Sequence, residues 1–346
     1  MGNLWKNIVD NLGFARLVII GFLIVLVFGA AYFEIPLGPL LSAALVRTGM
    51  NGIFVLAMLP TINSGIGPNF GLPLGILCGL VGSLLSIELD MRGMPAILFA
   101  AAVSIPLATV VGAAYGWLLN KVKGSEMMVS TYVGFSIVSL MNIGWIIMPF
   151  TSPEMRWPIG RGLRVTIALE ERFASVLDEL LAFDVAGVVV PTGLLLTFFL
   201  MCLLMWFFIR SKTGMAMRAV GDSKQFAVAS GLNVDGYRLL GTIMSTVLGA
   251  VGIVVFSQSF AFIQLYEAPM TMGFPAAAAI LIGGATVKRA NILNVILGAF
   301  LFQSLLVVSL PVANKIITVG GVAEIARIIV SNGIILYALT QVGRGD

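Results

Sequence analysis

The side chains best suited to handling a small solute stand beside interruptions in long apolar runs. Asn63, Ser64, Asn69 and Phe70 lie in or next to the stretch between Pro60 and Pro73, which holds three prolines and three glycines. Gln258, Phe262, Gln264 and Tyr266 precede Gly273 and Pro275, and Asn142 and Trp145 lie near the end of a third apolar run. Amides donate and accept hydrogen bonds, and aromatic rings stack on CH faces, so this set suits a neutral polyhydroxylated solute. Plainer roles exist: Asn142 as an interhelical hydrogen bond, and Trp145 with Trp157 as interfacial anchors. Covalent chemistry is poorly served. The chain has no histidine, which removes the commonest proton shuttle and metal ligand. Its two cysteines, Cys78 and Cys202, sit inside apolar runs and supply neither a disulfide framework nor a zinc cluster. Glu126 and Glu267 are the acids nearest the apolar runs, and their expected place at the ends keeps them hydrated rather than in a proton relay. Without clustered acids inside the runs, a membrane-embedded enzyme or an ion-coupled transporter acting alone is disfavoured.

The elements that must position these residues are set by composition. Of the 346 residues, 59% are hydrophobic and 10% charged, and the mean hydropathy is +1.05. A soluble domain carries about 25% charged residues to cover its surface, so lipid is the solvent this chain expects. The runs are unbroken rather than alternating, which points to helices and not to barrel strands. The reading is an all-α polytopic membrane protein of about ten transmembrane helices, some of them broken. The expected spans are 17–33, 45–62, 71–88, 95–119, 126–149, 185–209, 238–260, 270–286, 291–311 and 322–341. Residues 1–15 place Trp5, Ile8, Val9 and Leu12 at helical spacing and predict a short interfacial helix. Gly29-Ala30-Ala31 imitates a signal-peptide cleavage site, but the run before it is long for that purpose. Gly52-Ile-x-Val55 before Gly71-Leu-Pro73, and Gly252-Ile-x-Val255 before Gly273-Phe-Pro275, suggest an inverted repeat; matching interruptions in two halves mark transport sites.

Lys and Arg set the orientation. With the N-terminus inside, twelve basic residues fall on the cytoplasmic side and eight outside, four of those eight in the single long loop 151–184. Both termini are then cytoplasmic. In the external loop, Phe173, Val176, Leu177, Leu180 and Leu181 recur at helical spacing and predict a surface helix. The internal loop 210–237 is polar, basic and punctuated by glycine. The net charge of +4 follows from loop placement; no basic cluster lies beside stacking aromatics, so nucleic acid is not an expected partner.

The internal loop reads Arg210-Ser-Lys-Thr-Gly214-Met-Ala-Met-Arg218-Ala-Val-Gly221-Asp222, followed by Ala227-Val-Ala-Ser-Gly231-Leu-Asn-Val234. This resembles the cytoplasmic loop of permease subunits in the ribose-type ABC importers, part of the branched-chain amino acid/ribose permease superfamily. Gly214, Ala219 and Gly221 match one part of the family pattern, with Thr213 compressed against Gly214, and Ala227, Gly231 and Val234 match the next. Pro275 to Thr286, with Gly283-Gly284, is similar to the family's Gly-Gly-Thr segment. Thr48 to Ile66 follows a third, where Gly67-Pro68 replaces the family's Asp-Leu.

The resemblance implies a permease in the bacterial inner membrane, carrying a simple sugar such as a pentose or hexose, with a nucleoside or other small metabolite as the alternative. It implies as partners ABC ATPase subunits, a second permease copy or paralogue, and an extracytoplasmic substrate-binding protein. ATP and Mg would be bound by the partner: this chain has no G-x-x-x-x-G-K-[ST] to cradle phosphates, and no cofactor of its own is expected. ATPase coupling then falls to Gly214, Met217, Arg218, Gly221, Asp222, Phe226 and Gly231. Across 215–231, apolar Met215, Met217, Val220, Phe226 and Val228 alternate with polar residues, as in a short helix that docks in a partner's groove between glycine hinges.

Overall fold

The computed structural model describes residues 14–157 and 162–316, together with 324–325, 328–329, 332–333 and 335–336. The expected interfacial helix at 1–15 and most of the span 322–341 lie outside the described residues.

Helices dominate. From the N-terminal side come α1 (Phe14–Tyr32), α2 (Leu37–Asn63), α3 (Pro73–Glu88), α4 (Gly93–Lys121) and α5 (Glu126–Ile147). A long connection follows with β1 (Thr166–Ala168), α6 (Val176–Glu179), β2 (Phe183–Val185) and β3 (Val188–Val190). Then come α7 (Thr192–Arg210), α8 (Lys212–Asp222), α9 (Lys224–Ala229), α10 (Val234–Phe260), β4 (Phe262–Gln264), α11 (Ala268–Thr271), α12 (Gly273–Ile282) and α13 (Ile292–Ile316). Among the described residues, six helices (α2, α4, α5, α7, α10 and α13) are long and apolar enough to cross a membrane, and three shorter apolar helices accompany them. At about 1.5 Å per residue, the 27-residue α2 and α10 are each roughly 40 Å long. Nine expected spans coincide with helices or helix pairs, but the 16-residue α3 begins only after a non-helical hairpin at 64–72.

The core is built around α2 and α10. From Thr48 to Asn63, α2 is buried along nearly its whole circumference, wrapped by α10, α13 and α7. In lipid, helices associate by close packing and not by hydrophobic expulsion, so small residues mark the contacts. Gly75 and Gly79 of α3 face Thr246 and Ala250 of α10 so closely that a Cβ at either glycine would strike a backbone carbonyl of α10. The outward faces of α4, α5 and α7 carry Val110, Trp117, Ile147 and Phe207, all exposed, as a lipid-facing surface requires.

The 151–184 connection departs from expectation. A single surface helix does not form; Val176–Glu179 is one turn, entered through Ser175 at φ +54°. Phe173 and Leu177 are buried, while Leu180 and Leu181 are exposed. The flanking chain pairs in β-ribbons instead: β1 lies antiparallel to β4, Thr166 opposite Gln264, and β2 pairs β3. The expected span 185–209 accordingly becomes helix only at Thr192, after Pro191.

Candidate solute pathway and coupling face

One end of the molecule collects α8, α9, the 283–291 turn and the α4–α5 connection. Ser211 caps α8, its Oγ accepting from the Gly214 amide, and Ser223 caps α9 by accepting from Phe226. The expected single segment 215–231 is thus two helices broken at Ser223. Its apolar residues divide. Met217 and Val220 are buried, Val220 packing with Ala227 and Val234. Met215, Phe226 and Val228 point away from the protein, each more than half exposed, at 56%, 62% and 61%. Gly214 is not a flanking hinge; it lies inside α8 against the backbone of Phe208 and Ile209. Gly231, at φ +75°, does terminate α9 in a conformation that glycine adopts freely.

The decisive contact is at Gly221. A Cβ there would lie 2.5 Å from the Asn63 carbonyl oxygen and 3.2 Å from the Gly65 amide nitrogen. α8 therefore rests directly on the frayed end of α2, where the chain leaves the helix through Gly65 (φ +76°) and Gly67 (φ +95°). Two polar links extend this contact: Asn63 Oδ1 accepts from the Ala290 amide at 3.1 Å, and Arg289 Nε meets Asp222 at 2.7 Å. A displacement of α8 must push on both α2 and the 283–291 turn. Arg218 lies beside them, exposed.

The same end holds a buried ion pair that sequence reasoning treated as loop charge. Arg238, 5% exposed, donates to Glu126 Oε1 at 2.5 Å, to Asn120 Oδ1 at 3.0 Å and to the Gly65 carbonyl at 3.3 Å. Glu126 is only 13% exposed, so its expected hydrated position is corrected: it is clamped inside. Only the alignment of Arg238 on α10 with the end of α4, the start of α5 and the turn after α2 could have revealed this, and that is a tertiary fact.

The ten pathway candidates are not brought to one place; they string along the axis. Asn63 and Ser64 are at the α8 end, buried, with Ser64 Oγ donating to the Thr61 carbonyl. Asn69 is a structural knot: Oδ1 accepts from Tyr115 Oη and the Gly71 amide, both at 2.9 Å, and Nδ2 donates to Ser245 at 2.8 Å. These bonds hold the 64–72 hairpin between α4 and α10. Phe70 stacks on Phe274, centroids 5.1 Å apart, with Phe135 beyond. At the other end Gln258 accepts from the Leu177 amide and donates to Ser259. Tyr266 donates to the Leu163 carbonyl, Phe262 packs on Phe260, and Gln264 is exposed on β4. Gln258 and Tyr266 therefore fasten the 151–184 connection over this end. Burial holds the phenol of Tyr266 above its ordinary pKa. Asn142 and Trp145, like Asn63 through its Nδ2, hold unpartnered polar atoms: a buried Oδ1 and a buried Nε1, three residues apart on one face of α5. An unmatched acceptor and donor together are where a solute hydroxyl or water can bind.

The connection is also clipped to the α3–α4 turn. Arg172 donates to Glu154 at 2.9 Å and to Asp90, and Glu88 accepts from Thr151 and Ser152. Hydrogen bonding from Arg172 holds the carboxyls of both Asp90 and Glu154 below their ordinary range, and raises Arg172 further. Asp178 behaves oppositely: burial raises it, against a hydrogen bond from Ser259. Among the described residues no cluster of metal-ligating side chains occurs.

Comparison with known proteins gives the chain relatives and a family. A nucleoside ABC transporter permease protein, NupC of Lactococcus lactis, is 32% identical over 107 residues, 31% of this chain and 33% of that one. A putative glucose ABC transporter permease protein, TsgC13 of Haloferax volcanii, is 28% identical over 207 residues, 58% of this chain and 56% of that one. The chain thus spans a third to just over half the length of these relatives. No solved structure matches. The family model for the permease component of branched-chain amino acid transport systems covers residues 11–339. With nearly the whole chain inside that match, the protein belongs to this family of ABC transporter permeases.

Proposed function

We propose that this chain is the membrane-spanning subunit of an ABC importer, conducting a small polar solute and driven by a separate ATPase that docks on α8 and α9. The observation that carries the reading is the Gly221–Asn63 contact. A helix pair presenting Met215, Phe226 and Val228 outward, with α8 resting inward on the end of a broken core helix, is a lever between a partner and the membrane interior. The face bearing α8 is the cytoplasmic one on this reading, since Arg16, Lys123, Arg238 and Arg289 gather there. Both termini then face the cytoplasm. A second permease copy or paralogue and an extracytoplasmic binding protein complete the complex, the latter meeting the 151–184 connection.

The solute is a simple sugar. Its path runs past Phe70 and the Asn142–Trp145 pair, where a ring and unmatched polar atoms suit a polyhydroxylated molecule. A nucleoside is the second reading, favoured by the similarity to a nucleoside permease. The test is co-reconstitution with the ATPase and binding protein in vesicles. Gly221→Val, which drives a branched side chain into the Asn63 carbonyl, is expected to abolish uptake while ATP hydrolysis persists; normal uptake would sink the lever. Competition of labelled-solute uptake by pentoses, hexoses and nucleosides separates the two substrate classes.

A further inference from the structure

Beside the coupling face lie two clefts that share Arg218 and Asn291. One, of about 270 Å³, is walled by Trp206, Ile209, Ile292 and Leu293. The other, of about 450 Å³, is walled by Arg218, Lys288, Arg289, Thr286 and Asn294, and has Asn63 in its wall. The first is apolar. Among the described residues, the second gathers three cations, Arg218, Lys288 and Arg289, around one carboxylate, Asp222, which Arg289 holds at 2.7 Å. Asn63 is 4% exposed, and its Nδ2 has no partner while its Oδ1 is held by Ala290. The cationic cleft is thus lined by a buried donor that lacks an acceptor.

Depth in the membrane distinguishes this pair of clefts from a site for a soluble anion. Arg210 is the last residue of α7, with its guanidinium 3.9 Å over the Trp206 ring, and Ile292–Leu293 open α13. The apolar cleft therefore sits at the edge of the hydrocarbon, and the cationic one just beyond it. We infer that together they bind one anionic phospholipid of the leaflet on this face. Its phosphodiester sits among Arg218, Lys288 and Thr286, and its glycerol and acyl chains lie along Trp206, Ile209 and Leu293. Basic pockets at helix ends recognise anionic headgroups in this way, and a zwitterionic headgroup would bring its own cation to a site already positive. A soluble phosphate or a partner's carboxylate would use the cationic half and leave the apolar half empty. The lipid would touch α8 through Arg218, so headgroup charge bears on the lever, whichever solute the protein carries.

The test uses the purified full chain in mild detergent, supplied with equimolar phosphatidylglycerol and phosphatidylcholine and read by native mass spectrometry. The wild type should retain phosphatidylglycerol selectively, with one lipid per chain dominant. Each of Arg218→Gln and Lys288→Gln should weaken that retention by about fivefold, the worth of roughly 1 kcal/mol per basic residue near a lipid surface. Leu293→Asp, which alters only the apolar half, should weaken it as well. Excess inorganic phosphate should not displace the lipid. Equal retention of the two lipids by the wild type overturns the proposal and needs no variant to fold; so does displacement by phosphate, which would mark a soluble-anion site.

Discussion

Arg238 shows how much a single buried charge organises in this protein. It joins four elements: α10, which carries it, Asn120 at the end of α4, Glu126 at the start of α5, and the Gly65 carbonyl after α2. Removing one partner strands the other in a low-dielectric setting, which costs roughly 3–5 kcal/mol. Arg238→Gln and Glu126→Gln should therefore each lower the thermal unfolding temperature in detergent sharply, and the double variant should be less damaged than the sum of the two. Additive losses would show that the pair does not couple. Asn69 makes a parallel case with a neutral side chain. Asn69→Leu keeps the volume but leaves Tyr115, the Gly71 amide and Ser245 short of partners, at about 1–3 kcal/mol for each unsatisfied group. The expected result is a marked fall in melting temperature. An unchanged melting temperature would return Asn69 to the solute path.

At the scale of elements, the two ends of the molecule are fastened by different means. The 151–184 connection is held by Arg172 to Asp90 and Glu154, and both carboxyls lie below their ordinary values. A lowered carboxyl favours the folded clip at pH above the ordinary range of about 3.9–4.3, and this contribution is lost as pH falls through the lowered values. Asp178, raised by burial, acts in the opposite sense: its contribution is present at low pH and is lost as pH rises through its raised value. Hydrogen exchange across 151–184 should accordingly stay slow at neutral pH and quicken only in strong acid, and Arg172→Gln should remove that acid step. Persistence of the step in Arg172→Gln would assign it to other groups. At the opposite end α8 is tied inward by the Asp222–Arg289 pair, and α9 is stopped by Gly231. Their exposed Met215, Phe226 and Val228 are held on helices whose N-termini Ser211 and Ser223 cap, an arrangement suited to docking.

At the scale of the whole molecule, the proposed reading is a helical conduit driven from the end that carries α8 and α9. Vesicles holding the purified chain without an ATPase should show no uphill accumulation of any sugar or nucleoside. Accumulation under those conditions would refute a driven permease. Much of this was legible from the sequence, because lipid permits so few solutions: a chain with 10% charged residues must bury its backbone polar groups in helices. Hydropathy alone therefore placed α1 to α5, α7, α10, α12 and α13. The ribbon β1–β4 escaped it, because its central paired residues, Ile167 and Ile263, are 96 residues apart in the chain, and three-residue strands have no periodicity to read. The same limit applies to the site. Composition can nominate Asn63, Asn69 and Gln258 as polar residues in apolar surroundings, but whether an amide faces a solute, a neighbouring helix or a loop depends on partners far away in the chain. Residue types and runs determined that this protein is a bundle of membrane helices. Only the packing of distant segments decided that Gly221 bears on Asn63, that Arg238 reaches Glu126, and that Asn69 bonds to Tyr115 and Ser245.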